Sequence, residues 1–431
     1  MYIKRIILKN IRGFEELDFD LTRSDGSYAG WTVFTGDNGS GKSALLKAIA
    51  IGLVGRKTAL ELQPNFQGWI QKGVDEATIQ FIVEQDRPRL KIVPVGYISK
   101  EEAIQEIPIK IILTKAKNEI ILSENDNNYD FRVDRNFGDH PWFSCGYGPF
   151  RRLSGASQDA ARKMLLPTTE RFATLFDEAA SLAEVDHWLR ELHRNSQDET
   201  GTRESEEEIE LLVEIIQHGL LPNEITLDRV DSKGLWLKDI NGAELAWSDM
   251  SDGYRSILAV LTDILRHMMK QENFIRCYHG IGPDGKWFSK QSGVVLIDEV
   301  DAHLHPKWQQ KIGFWLKRHF PNIQFLVTTH SPIICQAADD NGLFVLPEIS
   351  SQDKPRALSN DEYNRVIASR PDTILLTSAF GLQNTRSPRI VEARAKYAKL
   401  KAKKRTGAIL TPEEETNLSE LKLLSEIEEE L

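Results

Sequence analysis

Cysteine is scarce in this sequence of 431 residues: Cys145, Cys277 and Cys335, an odd number set far apart. That pattern excludes a disulfide framework and a cysteine-rich zinc site, and it predicts a reducing, cytoplasmic setting. No apolar run of about 18 residues occurs, so no membrane span is expected. The opening MYIKRIILKN lacks the small-residue cleavage site of a signal peptide and reads as an alternating strand. An excess of basic charge is also missing. Lys and Arg number 54 against 64 Asp and Glu, a formal charge of −10, which argues against a generic nucleic-acid coat but leaves room for a local basic groove. Sustained heptads are absent, so no long coiled-coil arm is expected. What is left is an ordinary folded composition, 41% hydrophobic and 27% charged, with length for two or three lobes.

Against that background, residues 36–43 read GDNGSGKS, the G-x-x-x-x-G-K-S spacing of a phosphate-binding loop. Trp31–Thr35 before it is β-branched and aromatic and predicts a strand; Ala44–Val54 after it predicts a helix with an apolar face. Strand, loop and helix together separate a phosphate loop from a chance glycine-rich turn. Gly36, Gly39 and Gly41 let backbone N–H groups wrap around phosphate oxygens, and Asp37, Asn38, Ser40 and Ala44 complete the cradle at the helix start. Lys42 is expected to reach the β- and γ-phosphates and Ser43 to hold Mg2+.

Gly293–Ile297 is a buried-type apolar strand that runs into Asp298 and Glu299. One reading is a strand ending in a solvated acidic turn. The other puts the pair at the C-terminal edge of a parallel sheet, where ligands bind. Asp298 is then the Mg2+-associated carboxylate, and Glu299 orients and deprotonates water. Ile323–Thr329 predicts another such strand, ending at His330, which can hydrogen-bond a γ-phosphate or serve as a structural histidine. Farther back, Ser251 stands before an amphipathic helical stretch, Ile257–Leu265, in the run MSDGYRS. A serine cap at a helix start presents N–H groups to an anion, with Gly253 allowing close approach. A second phosphate-binding helix start makes sense if it caps the nucleotide of another subunit.

In this order, Walker A at Gly36, a signature at Ser251, Walker B at Asp298-Glu299 and a switch histidine at His330 resemble an ABC-type ATPase. The resemblance implies an α/β P-loop head with a mixed β-sheet lobe, a helical lid and ATP with Mg2+ as ligands. It also implies two copies sandwiching two nucleotides, with Asp301 as the subunit-contacting D-loop residue. The signature departs from L-S-G-G-Q: Asp252 and Tyr254 replace one Gly and the Gln, while Ser251 and Gly253 are kept, and such variants resemble the SMC, RecF and OLD branch. The opening Ile3–Phe14 also resembles that branch, with Arg12 either near the nucleotide or a surface arginine. Gln63, Gln67 and Gln71 are all candidates for the glutamine that links nucleotide to lid.

Residues 75–135 look β-rich, with strands at Ala77–Val83, Leu90–Val93, Ile109–Leu113 and Ile120–Leu122. Residues 157–220 look helical with a polar break near Asn195–Glu206, and Leu235–Lys238 and Leu245–Trp247 predict a hairpin around Asn241-Gly242. A compact lid follows, and the signature and spacing disfavour a transporter subunit. The residues after His330 show no Glu followed by an Asp-x-Asp pair, so no TOPRIM nuclease is assigned, and Asp339-Asp340 reads as a solvated turn. Tyr147–Arg152, Asp298–Pro306 and the helical tail resemble stand-alone ATPases of bacterial phage-defence loci, including Septu-type (PtuA) and retron-associated ones. That group implies a separate effector, a nuclease. The alternative is a RecF-like DNA-repair ATPase that clamps DNA.

His303-x-His305 reads as an interface element ahead of a metal site, because no third spaced ligand is evident. Arg151-Arg152 either touch phosphate or DNA or are surface arginines. In the tail, a basic helix from Pro388 to Arg405 precedes an acidic one that opens at Thr411-Pro412, which predicts an antiparallel hairpin. Such a hairpin either docks a partner or packs on its own domain, and direct nucleic-acid binding ranks below both for want of interleaved aromatics. The expected divisions are residues 1–155, an ATPase lobe; 156–250, lid and hairpin; 251–345, signature helix to switch histidine; and 346–431, a helical partner or oligomerisation region.

Overall fold

Alternating apolar residues build the first sheet. β1 (Tyr2–Ile11) buries Ile3, Ile6, Leu8 and Ile11 and pairs antiparallel with β2 (Phe14–Asp20). β3 (Gly30–Thr35) is buried along its whole length and leads through the glycine-rich loop into α1 (Lys42–Leu62). β4 (Glu76–Ile92) and β5 (Ile98–Ala116) form a long antiparallel pair, and β6 (Glu119–Glu124) adds to its far edge. The computed structural model describes all residues except 93–97, 118, 125–142, 152–156, 198–202, 218–220, 222–224, 271–278, 283–284, 349–350, 352, 408 and 427–431. The expected strands Ala77–Val83 and Leu90–Val93 are one strand up to Ile92, because β5 supplies partners without interruption; Val93 lies outside the described residues.

β7 (Phe143–Tyr147) opens the second half. Helices α2 (Gln158–Leu165), α3 (Ala173–Phe176), α4 (Ala183–Gln197) and α5 (Arg203–Gln217) follow, then a small sheet of β8 (Thr226–Asp231), β9 (Gly234–Lys238) and β10 (Glu244–Ala246). The expected hairpin is β9–β10, and β8 extends it to three strands. α6 (Asp252–Met269) precedes β11 (His279–Ile281), β12 (Trp287–Ser289) and β13 (Gly293–Ile297). α7 (Pro306–His319), β14 (Ile323–Thr329), α8 (Pro332–Cys335), β15 (Leu343–Val345), β16 (Arg356–Ala357) and α9 (Asn360–Ala368) complete the larger compact unit, Met1–Pro371.

The central sheet has the order β16-β15-β3-β14-β13-β7. From β15 to β7 every pairing is parallel, so the C-terminal ends of β3, β13, β14 and β7 share one edge. α1 lies between this sheet and the antiparallel one: its Leu45, Leu46, Ile49 and Ile51 join one core with Ile6 and Leu8 on one side and Val294, Leu296 and Leu326 on the other. Burial on both faces explains why α1 is apolar nearly all round. Truncating one of these leucines or isoleucines to Ala is expected to cost about 2–5 kcal/mol.

The second unit, Asp372–Leu431, includes two helices, α11 (Pro388–Arg405) and α12 (Pro412–Glu426), after a short α10 (Pro371–Leu375) at the boundary. The two helices pack against each other as the expected hairpin. Lys403 Nζ reaches Glu414 at 2.7 Å, and Thr411 and Glu414 cap α12 reciprocally. Among the described residues no helix is long and apolar enough to cross a membrane.

Candidate functional site

The loop after β3 is closed by its own lysine. Lys42 is buried, and its Nζ donates to Gly36 O and Asp37 O, each at 2.8 Å. Gly41 caps α1 in the left-handed region at φ 96°, and a Cβ there would sit 2.5 Å from the Phe14 ring. No side chain caps the helix start, and Ser40 Oγ is buried with no hydrogen-bond partner. Ser43 follows at the first turn, half-buried. A cradle of free N–H groups and an orphaned buried hydroxyl fits phosphate oxygens.

The acids face this lysine. Burial lowers the Lys42 pKa, while Asp298, Glu299, Asp37 and Asp301 pull it back up. Asp298 is 1% exposed, and its Oδ1 accepts from Thr328 Oγ1 on the neighbouring strand β14. The same Thr328 Oγ1 accepts Glu299 N–H at 2.7 Å. Glu299 itself stands in the left-handed region, φ 46°, half-buried. Asp301 accepts from Thr329 Oγ1, so both threonines at the end of β14 hold the acidic turn. A buried carboxylate beside the phosphate loop is a hard oxygen donor, suited to a magnesium ion with Ser43. His330 follows Thr329 at the sheet edge, half-buried, and its ring makes no hydrogen bond among the described residues.

The signature run lies elsewhere. Ser251 occupies the cap position of α6 and is exposed, and its hydroxyl accepts none of the helix N–H groups. Neither Ser251 nor Gly253 is hydrogen-bonded to the phosphate loop among the described residues. Gly253 instead rests on the turn after Walker B: a Cβ would come within 2.2 Å of His303 O. Tyr254, which replaces the usual Gln, packs its ring 4.4 Å from that of Trp308 on α7. Signature and acidic turn are therefore braced against each other within one chain.

Several expectations change. Arg151 is not a surface arginine: it is 6% exposed and its guanidinium binds main-chain carbonyls. Arg152 lies outside the described residues, as does Cys277. Asp339 belongs to no solvated turn; its carboxylate accepts Trp31 N–H at 2.6 Å and pairs with Lys317 at 2.7 Å and Arg23 at 3.3 Å. His305 is the cap of α7, with Nδ1 accepting Lys307 N–H, and His303 is exposed at φ 64°. Among the described residues no group of three or more His, Cys, Asp or Glu is placed to hold a metal ion. Arg12 stacks 4.4 Å over Trp69, and, after burial, its charge is the main influence lowering the Lys47 pKa on α1. Nothing in the hydrogen bonds of Gln63, Gln67 and Gln71 singles one out, although Gln71 N–H pairs with Asn10 O beside Arg12. Sequence reasoning overlooked Thr328 and Thr329; the available signal was two adjacent hydroxyls at the end of a largely apolar strand.

Residues 31–336 match the family described as "AAA domain, putative AbiEii toxin, Type IV TA system". The chain is 29% identical over 347 residues to the Septu protein PtuA of Bacillus mycoides (strain KBAB4), covering 80% of this chain and 40% of that protein. It is 39% identical over 109 residues to the retron Ec83 probable ATPase of Escherichia coli, covering 25% of this chain and 18% of that protein. The chain thus spans less than half the length of either relative. An SMC head bound to the C-winged helix domain of ScpA aligns over 84% of this chain and 99% of that chain, at TM-score 0.48 and 17% identity. The family match takes in more than half of the chain, from the glycine-rich loop through Ser251 and the Asp298-Glu299 pair to His330, so the chain belongs to this AAA domain family.

Proposed function

We propose that this protein binds and hydrolyses ATP, dimerises around it, and regulates a separate effector protein, a nuclease, in bacterial anti-phage defence. The observation that carries the chemistry is Lys42, buried in its loop and facing Asp298 and Glu299. Lys42 leaves its two loop carbonyls to bind the β- and γ-phosphates, while the α1 N-terminus cradles them. A magnesium ion, held by Ser43 and Asp298, supplies charge neutralisation when bound. The Glu299 carboxylate takes a proton from water, whose oxygen bonds the γ-phosphorus as the bond to ADP breaks. His330 hydrogen-bonds the γ-phosphate.

The position of the signature run supports the dimer. Ser251 stands at the cap of α6 with its hydroxyl accepting from none of the helix N–H groups, and among the described residues neither it nor Gly253 is hydrogen-bonded to the phosphate loop. A second copy is the partner that brings that surface to a nucleotide, with Asp301 in the contact. Residues 156–250 act as the lid and 346–431 as the partner region in this reading. The effector and defence role rest on the likeness to the Septu protein and the retron ATPase, which also suits a cytoplasmic protein with buried free Cys145 and Cys335.

Glu299→Gln is the test. It should bind ATP, lose about 10²–10⁴ in turnover and accumulate as a dimer, measured by phosphate release and light scattering. Normal turnover would sink the assignment. Pulled from its host with ATP present, the trapped dimer should carry a stoichiometric nuclease; arrival with DNA and replication factors would favour a RecF-like repair role.

A further inference from the structure

Arg151 is a buried cation that the chemistry above leaves unused. It follows β7, the edge strand that pairs in parallel register with β13, so the chain leaves the sheet directly beside the Asp298-Glu299 turn. Its Nη2 donates to Asp298 O at 2.7 Å and to Glu299 O at 2.9 Å, and its Nε donates to Gly148 O at 3.1 Å. It makes no ion pair with a carboxylate among the described residues. Burial pushes its pKa down to about 10, with Asp298, Asp301 and Glu299 opposing, so it keeps its charge at neutral pH.

The carbonyls it holds belong to an unusual piece of backbone. Glu299 is a non-glycine residue at φ 46°, a conformation that costs free energy and persists only where the surroundings enforce it. Two groups enforce it from opposite sides. Thr328 Oγ1 takes the Glu299 N–H, and Arg151 takes the Glu299 carbonyl together with the one before it. The planar guanidinium holds three carbonyls at once, two through Nη2 and one through Nε, in a fixed fork that an ammonium on a flexible stem lacks.

We propose that Arg151 is a positioning residue for ATP hydrolysis: by clamping the Asp298 and Glu299 carbonyls it fixes the left-handed turn that aims the Glu299 carboxylate at water. The proposal rests on the reading of Glu299 as the group that activates water. Arg151 acts through the turn, since the guanidinium hydrogen bonds among the described residues all go to main-chain carbonyls. It therefore governs turnover and leaves ATP affinity alone, since the phosphate cradle is built by other residues.

The experiment compares Arg151→Lys, Glu299→Gln and the double variant in the full-length protein. Phosphate release gives kcat, and equilibrium binding of a fluorescent ATP analogue gives affinity. Arg151→Lys should lower kcat about 10–100-fold, as expected for a misaimed catalytic group, with affinity within about twofold. In the Glu299→Gln background the same substitution should change the residual rate by less than about threefold, because two residues acting through one group are not additive. A kcat within twofold of the parent, an equal loss in affinity and kcat, or a full further loss in the double variant would each overturn the proposal. Should Arg151→Lys fail to fold, Arg151→Gln is read by the same split. Failure of the underlying reading looks different: Glu299→Gln itself would then turn over normally.

Discussion

Gly253 shows how tightly one residue can tie sequence to chemistry. Its missing side chain lets the start of α6 lie against the His303 carbonyl, and a Cβ would meet that oxygen at 2.2 Å. The neighbour is backbone and cannot turn aside. Gly253→Ala should therefore push the signature off the acidic turn, at a cost of about 1–3 kcal/mol. Hydrolysis and ATP-driven dimerisation should fall together while a single head still binds ATP, as checked by phosphate release, light scattering and nucleotide binding. Unchanged dimerisation would show that the contact is idle. The same scale explains the Tyr254 departure from the usual glutamine. Its ring packs on Trp308, and such aromatic pairs contribute about 0.5–1.5 kcal/mol beyond simple burial.

At the scale of the element, α6 does two jobs. Its start carries Ser251 and Gly253, and its far half carries a buried ionic cluster. Asp263 is paired with Arg266 at 2.8 Å, accepts from Tyr147 Oη at 3.0 Å and lies 3.4 Å from His267. Glu170 lies 3.5 Å from Arg266. Tyr147 ends β7, four residues before Arg151, so the cluster ties the signature helix to the strand that carries the arginine. Burial works against the Asp263 carboxylate, but His267 and Arg266 outweigh it and hold the carboxyl well below the usual range. Burial lowers the His267 pKa in turn, against the pull of Asp263.

The sign of the linkage is definite. A carboxyl with a depressed folded pKa contributes stability above its unfolded value, near 3.8, and loses it as pH falls toward the folded value. Asp263→Asn should cost about 3–5 kcal/mol at neutral pH, because it leaves Arg266 buried without its nearest partner. The gap between parent and variant in urea unfolding should hold above pH 5 and shrink below about pH 4. A gap independent of pH would mean that the pair is not charged in the folded state.

For the whole molecule, the division at Pro371 is the relevant feature. The unit Asp372–Leu431 buries few apolar side chains among its described residues, chiefly Ile374, Ala379, Ala393 and Leu410. It exposes Leu376, Leu382, Val391 and Ile409, the last at 94%. So small a core contributes little to stability, which suits a docking role. Removal of residues 372–431 should leave ATP affinity within about twofold while abolishing co-purification of the effector. Retention of the effector by the shortened protein would move the docking surface onto the head.

The parts of the candidate nucleotide site were legible in the sequence because each is local. The eight residues of the phosphate loop, the apolar strand that runs into Asp298-Glu299 and the capped helix start at Ser251 each carry their geometry in adjacent residues, through glycine freedom, strand burial and helix capping. What joins them is not local. Arg151 reaches carbonyls 147 and 148 positions away, Asp339 pairs with the start of β3 308 positions back, and Thr328 serves two residues of the turn after β13. In sequence alone an arginine after a strand, an Asp-Asp pair and a threonine look like surface polar residues, because nothing in their neighbours reveals burial. Only the parallel packing of β7, β13, β14 and β3 brings these groups to their partners, and only there does the loss of water make each hydrogen bond obligatory.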